Sequence, residues 1–146
     1  MTLWDTIATE AERESQLWGD ALRAPDEREH EPVFSALAHE RFGLGVETIY
    51  EGYLVHYGRP RLFAPADDDT GLLLGDYLYA HGLVRIAALG DADAVEALAS
   101  LIARCAHLRA EGAAGDGEAW ADTMRRLGGN GDDRGAALTA HARQVG

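Results

Sequence analysis

Apolar positions along this chain recur at helical spacing and nowhere alternate for long enough to suggest a strand. Trp4, Ile7, Ala8, Ala11, Trp18, Ala21 and Leu22 keep that rhythm until Pro25, which predicts a first helix over about residues 3 to 23. Pro32 then sits where a first-turn proline is tolerated, and Val33, Phe34, Leu37, Ala38 and Phe42 predict a second helix near 32 to 42. Val46, Ile49, Tyr50, Tyr53, Leu54 and Tyr57 share one broad face of a third, over 46 to 57. The segment from Gly58 to Asp69 holds two prolines and an acidic run, so it reads as a loop, with Asp69 or Thr70 capping the next helix.

The fourth helix, about 70 to 89, is apolar on nearly every side, which predicts that other helices surround it and that it forms the centre of the fold. After the Gly90-Asp91 turn, Val95, Leu98, Leu101, Ile102, Cys105 and Leu108 make a single-faced fifth helix that ends near Glu111. A Gly-rich connector, GAAGDG, leads to a short helix through Trp120, Met124 and Leu127, then to a second glycine-rich break and a weakly apolar tail. The expected architecture is an all-α bundle of five to seven helices. Residues 1–112 form its core, and residues 113–146 continue it as a connector with short helices, in the same domain or partly flexible.

Composition narrows the function classes. The chain of 146 residues is long enough for one substantial core and too short for two ordinary domains. All 13 basic residues are arginine, and 25 acidic residues against them leave a formal charge of -12, which disfavours nucleic acid and anionic lipid as partners. A single cysteine, Cys105, allows no internal disulfide and no cysteine-based zinc site, so a reducing cytoplasm is the expected compartment. The first residues lack the basic and apolar regions of a secretory signal, and Asp76, His81 and Arg85 interrupt the longest apolar run, so a soluble protein without a membrane span is expected.

Several side chains invite chemistry, and each has a plainer reading. Glu47 and Glu51 lie four apart on one helix face, where two carboxylates can share a hard cation such as Mg²⁺ or can simply be solvated. Asp67, Asp68 and Asp69 could meet calcium as a run, but more simply cap a helix. The six histidines show no spacing typical of a metal site. Cys105 sits on the apolar face of its helix and reads as a small buried hydrophobe. Tyr50, Tyr53, Tyr57, Tyr77 and Tyr79 read as core and rim packing, or as the lining of an apolar groove.

Glu47-Thr48-Ile49-Tyr50-Glu51, then Gly58-Arg59-Pro60, then Leu74-Gly75-Asp76-Tyr77-Leu78 occur in one order along the chain. That order resembles the region around the first aspartate-rich motif of the trans-isoprenyl diphosphate synthases, D-D-x-x-D, R-R-G-x-P and L-x-G-D-Y-L. The Gly90-Asp91 turn and the Arg109-Ala110-Glu111-Gly112 ending of the fifth helix keep the same order, so the resemblance covers about residues 36 to 112. It implies that Glu47 and Glu51 stand where magnesium ligands would be, with His56, Arg59, Arg61 and Asp76 as candidate substrate-binding positions. Thr48 replaces the middle carboxylate, and His56 and Tyr57 replace the two arginines that grip diphosphate in that family.

The family's substrate-binding lysine, its glutamate and glutamine beyond the fifth helix, and its entire second half with the second aspartate-rich motif have no counterpart here. Half a cavity without those arginines cannot ionise an allylic diphosphate, so no residue is assigned a catalytic role and no cofactor is required. Any residual activity would be magnesium-dependent prenyl diphosphate chemistry. The resemblance therefore implies a non-catalytic, half-length subunit that associates with a polyprenyl diphosphate synthase and modulates product length. The alternative is a homo-oligomeric helical module, a homodimer for example, that encloses an apolar isoprenoid or quinone ligand. In the packing motif, Gly75 and Gly82 are expected to let a neighbouring helix approach closely, and Asp76 to require hydrogen-bond partners within an apolar helix.

Overall fold

A computed structural model of the chain describes residues 1–129 and 133–146. These residues form an all-α bundle of seven helices with no named strand among them. They are α1 (Leu3–Glu14), α2 (Gln16–Asp20), α3 (Gly43–Tyr57), α4 (Asp68–Ala87), α5 (Ala92–Ala110), α6 (Asp116–Arg126) and α7 (Arg134–Val145). Among the described residues, no helix is long and apolar enough to cross a membrane.

The N-terminal helix is divided where a single one was expected. Thr2 and Asp5 form a capping box that starts α1, and Ser15 adopts an extended conformation that ends it. The Ser15 hydroxyl then accepts from the Leu17 amide and caps α2, the role in which serine competes best with helical backbone. Beyond α2 the chain turns extended: Arg23 N donates to Leu62 O and Ala64 N to Ala21 O, with Leu22 and Phe63 bridging antiparallel.

The second helix expected near 32 to 42 is absent, and two 3-10 turns, Ser35–Leu37 and Glu40–Phe42, stand in its place. Tertiary contacts override the helical pattern there. Phe34 stacks on Trp120, Ala38 is extended, and His39 N donates to Leu127 O at the end of α6.

The centre of the bundle is α3, not α4. Every residue from Gly45 to Leu54 is buried, including Glu47, Thr48 and Glu51. The longer α4 buries only one side, with Gly71, Leu74, Gly75, Leu78, Gly82 and Ile86, while Leu72, Leu73 and Val84 are more than half exposed on the other. Apolar composition therefore overstated its enclosure: a helix apolar all round can still leave one face without a neighbour.

The expected close approach along Gly75 and Gly82 is present. A Cβ at Gly82 would lie 2.4 Å from Ile49 Cγ1 and 3.1 Å from Gly45 O, and one at Gly75 would lie 2.4 Å from His56 Nε2. These two positions let α4 lie directly on α3. The cap of α4 is Asp67, whose carboxylate accepts from Thr70 N at 2.7 Å, two residues before the expected cap.

Two apolar clusters result. One joins α3 to α5, α6 and the 3-10 turns through Phe34, Ile49, Leu98, Leu101, Trp120 and Met124. The other joins α1, α2 and α4 through Trp4, Ile7, Trp18, Phe63, Leu74 and Leu78. α6 places Trp120 at 1% exposure in the first cluster, and α7 adds Ala137. The glycine-rich break expected after Leu127 falls partly on residues 130–132, outside the described residues.

Candidate functional site

The face of α3 that bears Glu47, Tyr50 and Glu51 meets the segment after Pro60, and that segment delivers Arg61 between the two carboxylates. Arg61 Nη1 donates to Glu47 Oε1 at 2.6 Å and Nε donates to Glu51 Oε1 at 3.0 Å. Nη1 also donates to Glu31 O at 2.9 Å. The backbone amides of Arg61 and Leu62 donate to the two Glu51 oxygens at 3.2 and 2.8 Å. The three side chains are fully buried. The guanidinium carbon lies 4.7 Å from the Trp4 ring and 5.1 Å from the Tyr50 ring, so aromatic faces complete its enclosure. Burial works against the guanidinium charge, and the adjacent Glu47 and Glu51 outweigh it, leaving the Arg61 pKa raised.

The carboxylate pair is thus neither a solvated face nor open to a hydrated cation. Three of its four oxygens are committed to Arg61 and to backbone amides, and only Glu47 Oε2 is buried without a hydrogen-bond partner. Magnesium requires an octahedral oxygen shell with several retained waters, and a closed donor set already holding a guanidinium does not fit it. Among the described residues, no group of three or more His, Cys, Asp and Glu side chains is arranged to hold a metal ion.

The remaining sequence candidates fall into separate places. His56 sits in the slot made by Gly75 and lies 3.2 Å from Asp76 Oδ1, with its ring beside Tyr79. Asp76 is two-thirds exposed and so is not the buried carboxylate that was expected, whereas its partner His56 is largely enclosed, at 11% exposure. Arg59 pairs with Glu29 at the surface and donates to Gln144 Oε1 at 2.7 Å. Of the six candidates, the fold brings Glu47, Glu51 and Arg61 together, pairs His56 with Asp76, and leaves Arg59 by itself.

A second polar group adjoins the first and was not legible in the sequence. Tyr50, whose ring underlies Arg61, directs its hydroxyl to His141 Nδ1 at 2.7 Å, and His141 Nε2 lies 2.9 Å from Asp116 Oδ2. The same carboxylate oxygen accepts from Tyr53 and, at 3.0 Å, from Arg109. Burial alone would raise the Asp116 pKa, but the Tyr53 hydroxyl, His141 and Arg109 outweigh it and hold the carboxyl down to about 2. Burial pushes the Tyr50 and Tyr53 phenols well above their ordinary value. The one available sequence signal was the i, i+3 placement of Tyr50 and Tyr53 on α3. Their partners lie on α5, α6 and α7, at distances along the chain that no local pattern encodes.

The structure is thus an all-α bundle whose central helix, α3, buries two glutamate side chains around one arginine. Comparisons with protein-family models, curated proteins and solved structures found no match to this chain.

Proposed function

We propose that this chain is a non-catalytic, isoprenyl-synthase-like helical subunit that associates with a polyprenyl diphosphate synthase and modulates its product length. The observation that carries this reading is Arg61 seated between Glu47 and Glu51. In the order of motifs that resembles the synthases, those carboxylates stand where magnesium and diphosphate would meet. Here an internal guanidinium occupies the place between them, so the segment contributes to packing and leaves ionisation of an allylic diphosphate to another chain.

The outer side of α4 supports the association. Leu72, Leu73, Ala80, Val84 and Ala87 are exposed on that helix, with Asp76 among them. An unpartnered apolar face of this kind is what a protein interface uses. The surrounding charge, -12 for the whole chain, favours a partner whose rim is basic over a second acidic copy.

The test is co-expression with a polyprenyl diphosphate synthase of the same source, then purification and product analysis. A stable complex that makes longer products than the synthase alone supports the reading. Substituting Leu73→Glu and Val84→Glu is expected to abolish the complex while leaving this chain folded. A chain that elutes as a monomer beside the synthase, with unchanged products, overturns it. A homodimer retaining an isoprenoid or quinone would favour the alternative apolar-ligand module.

A further inference from the structure

His141 occupies its surroundings as a bound ligand occupies a site. Its side chain is nearly fully buried, although α7 otherwise buries only Ala137. Phe34, Tyr50 and Tyr53 surround the imidazole with ring centroids at 5.3, 5.7 and 5.9 Å. Gly117 forms one wall, and a Cβ there would lie 3.1 Å from His141 Cδ2. Both ring nitrogens are engaged, one by the Tyr50 hydroxyl and one by Asp116.

The two polar groups are chemically distinct. An ionised Asp116 only accepts, so it requires an N–H at Nε2, whereas the Tyr50 hydroxyl can donate to or accept from Nδ1. The site therefore selects a flat five-membered ring with an N–H on one side and a second hydrogen-bonding nitrogen on the other. The other polar attachments of α7 lie nearer the surface and contribute less. Arg134 pairs with Asp122 at 2.9 Å, and Gln144 meets Arg59. The Asp133 side chain makes no capping hydrogen bond at the start of α7. Ala137, Leu138, Ala140 and Val145 pack the apolar side of α7 against the core, and His141 is the buried polar side chain that seats the helix there.

We propose that Phe34, Tyr50, Tyr53, Asp116 and Gly117 form a recognition socket for an unsubstituted imidazole ring, that His141 fills it in cis, and that α7 is a displaceable strap. A ligand carrying that ring competes with His141 and favours the state in which α7 is lifted, because it binds only the open socket.

Two measurements on the full chain at pH 8 test this, with ionic strength held fixed. In His141→Gly, imidazole is expected to raise Tm with a logarithmic dependence on concentration. Pyrrole, which lacks the second nitrogen, and 1-methylimidazole, which lacks the N–H, are expected to have little effect. In the wild-type chain, imidazole is expected to accelerate hydrogen exchange at the α7 amides around His141 in proportion to its concentration, with no change at the α3 amides. A folded glycine variant that responds equally to all three compounds overturns the socket. Unchanged α7 exchange in the wild-type chain overturns the strap, and this second measurement decides the proposal if the glycine variant does not fold.

Discussion

Arg61 Nη1 lies 2.6 Å from Glu47 Oε1, and neither side chain is exposed to solvent. One guanidinium answers two buried carboxylates, so removing it leaves Glu47 without a hydrogen-bond partner and Glu51 with backbone amides alone, in a medium that cannot hydrate them. Arg61→Met is expected to lower unfolding stability by about 3–5 kcal/mol, measured by urea denaturation. The Glu47→Leu/Arg61→Met double variant is expected to recover part of that loss. It leaves no unpaired carboxylate at 47, and Glu51 keeps the amides of residues 61 and 62. A double variant as unstable as the sum of its parts would contradict this account.

At the α3–α4 contact, Gly82→Ala would place a methyl 2.4 Å from Ile49 Cγ1 and 3.1 Å from Gly45 O. Backbone and a packed isoleucine must both give way, at a cost of about 1–3 kcal/mol that exceeds the ~1 kcal/mol gained in helix propensity. Gly135, in the first turn of α7, meets nothing within 4 Å. Gly135→Ala is therefore expected to stabilise by about 0.4–1 kcal/mol. Thermal melts of the two variants should move in opposite directions.

Acid should loosen the Asp116 cluster. The folded carboxyl is held at about 2 against an ordinary 3.8, so as pH falls the unfolded chain takes up a proton before the folded one does. The stability this group contributes is complete above its unfolded value and is lost as pH falls from about 4 towards 2. In Asp116→Asn this portion of the pH dependence should vanish. Denaturation midpoints measured across that window would reveal its absence.

Burial pushes the Cys105 thiol up to about 12, and the side chain is 1% exposed. Both effects suppress the thiolate that reacts with alkylating agents. At pH 8 the native chain is expected to resist iodoacetamide, with labelling that rises along the urea unfolding curve. Rapid labelling below the unfolding transition would show that α5 opens locally.

The helical periodicity between residues 43 and 110 was strong enough to be read directly, and the close approach at Gly75 and Gly82 came from two small residues on one helix face. The segment 32–42 carried the same periodicity and did not become a helix, because Phe34 is drawn onto Trp120 and the His39 amide goes to Leu127. Local pattern could not weigh contacts that join positions so far apart in sequence.

The sequence by itself determined the all-α class, the cores of α3, α4 and α5, and the pairing of Glu47 with Glu51 on one face, because each rests on spacing within a single helix. Only the tertiary structure decided what those carboxylates face. Whether two glutamates meet water, a metal ion or an arginine depends on where the loop after Pro60 returns, and it returns with Arg61 aimed inward between them. The same holds for His141, which the sequence left in a weakly apolar tail and the fold placed between Tyr50 and Asp116. Spacing along a helix tells which side chains share a face, and only packing tells what that face meets.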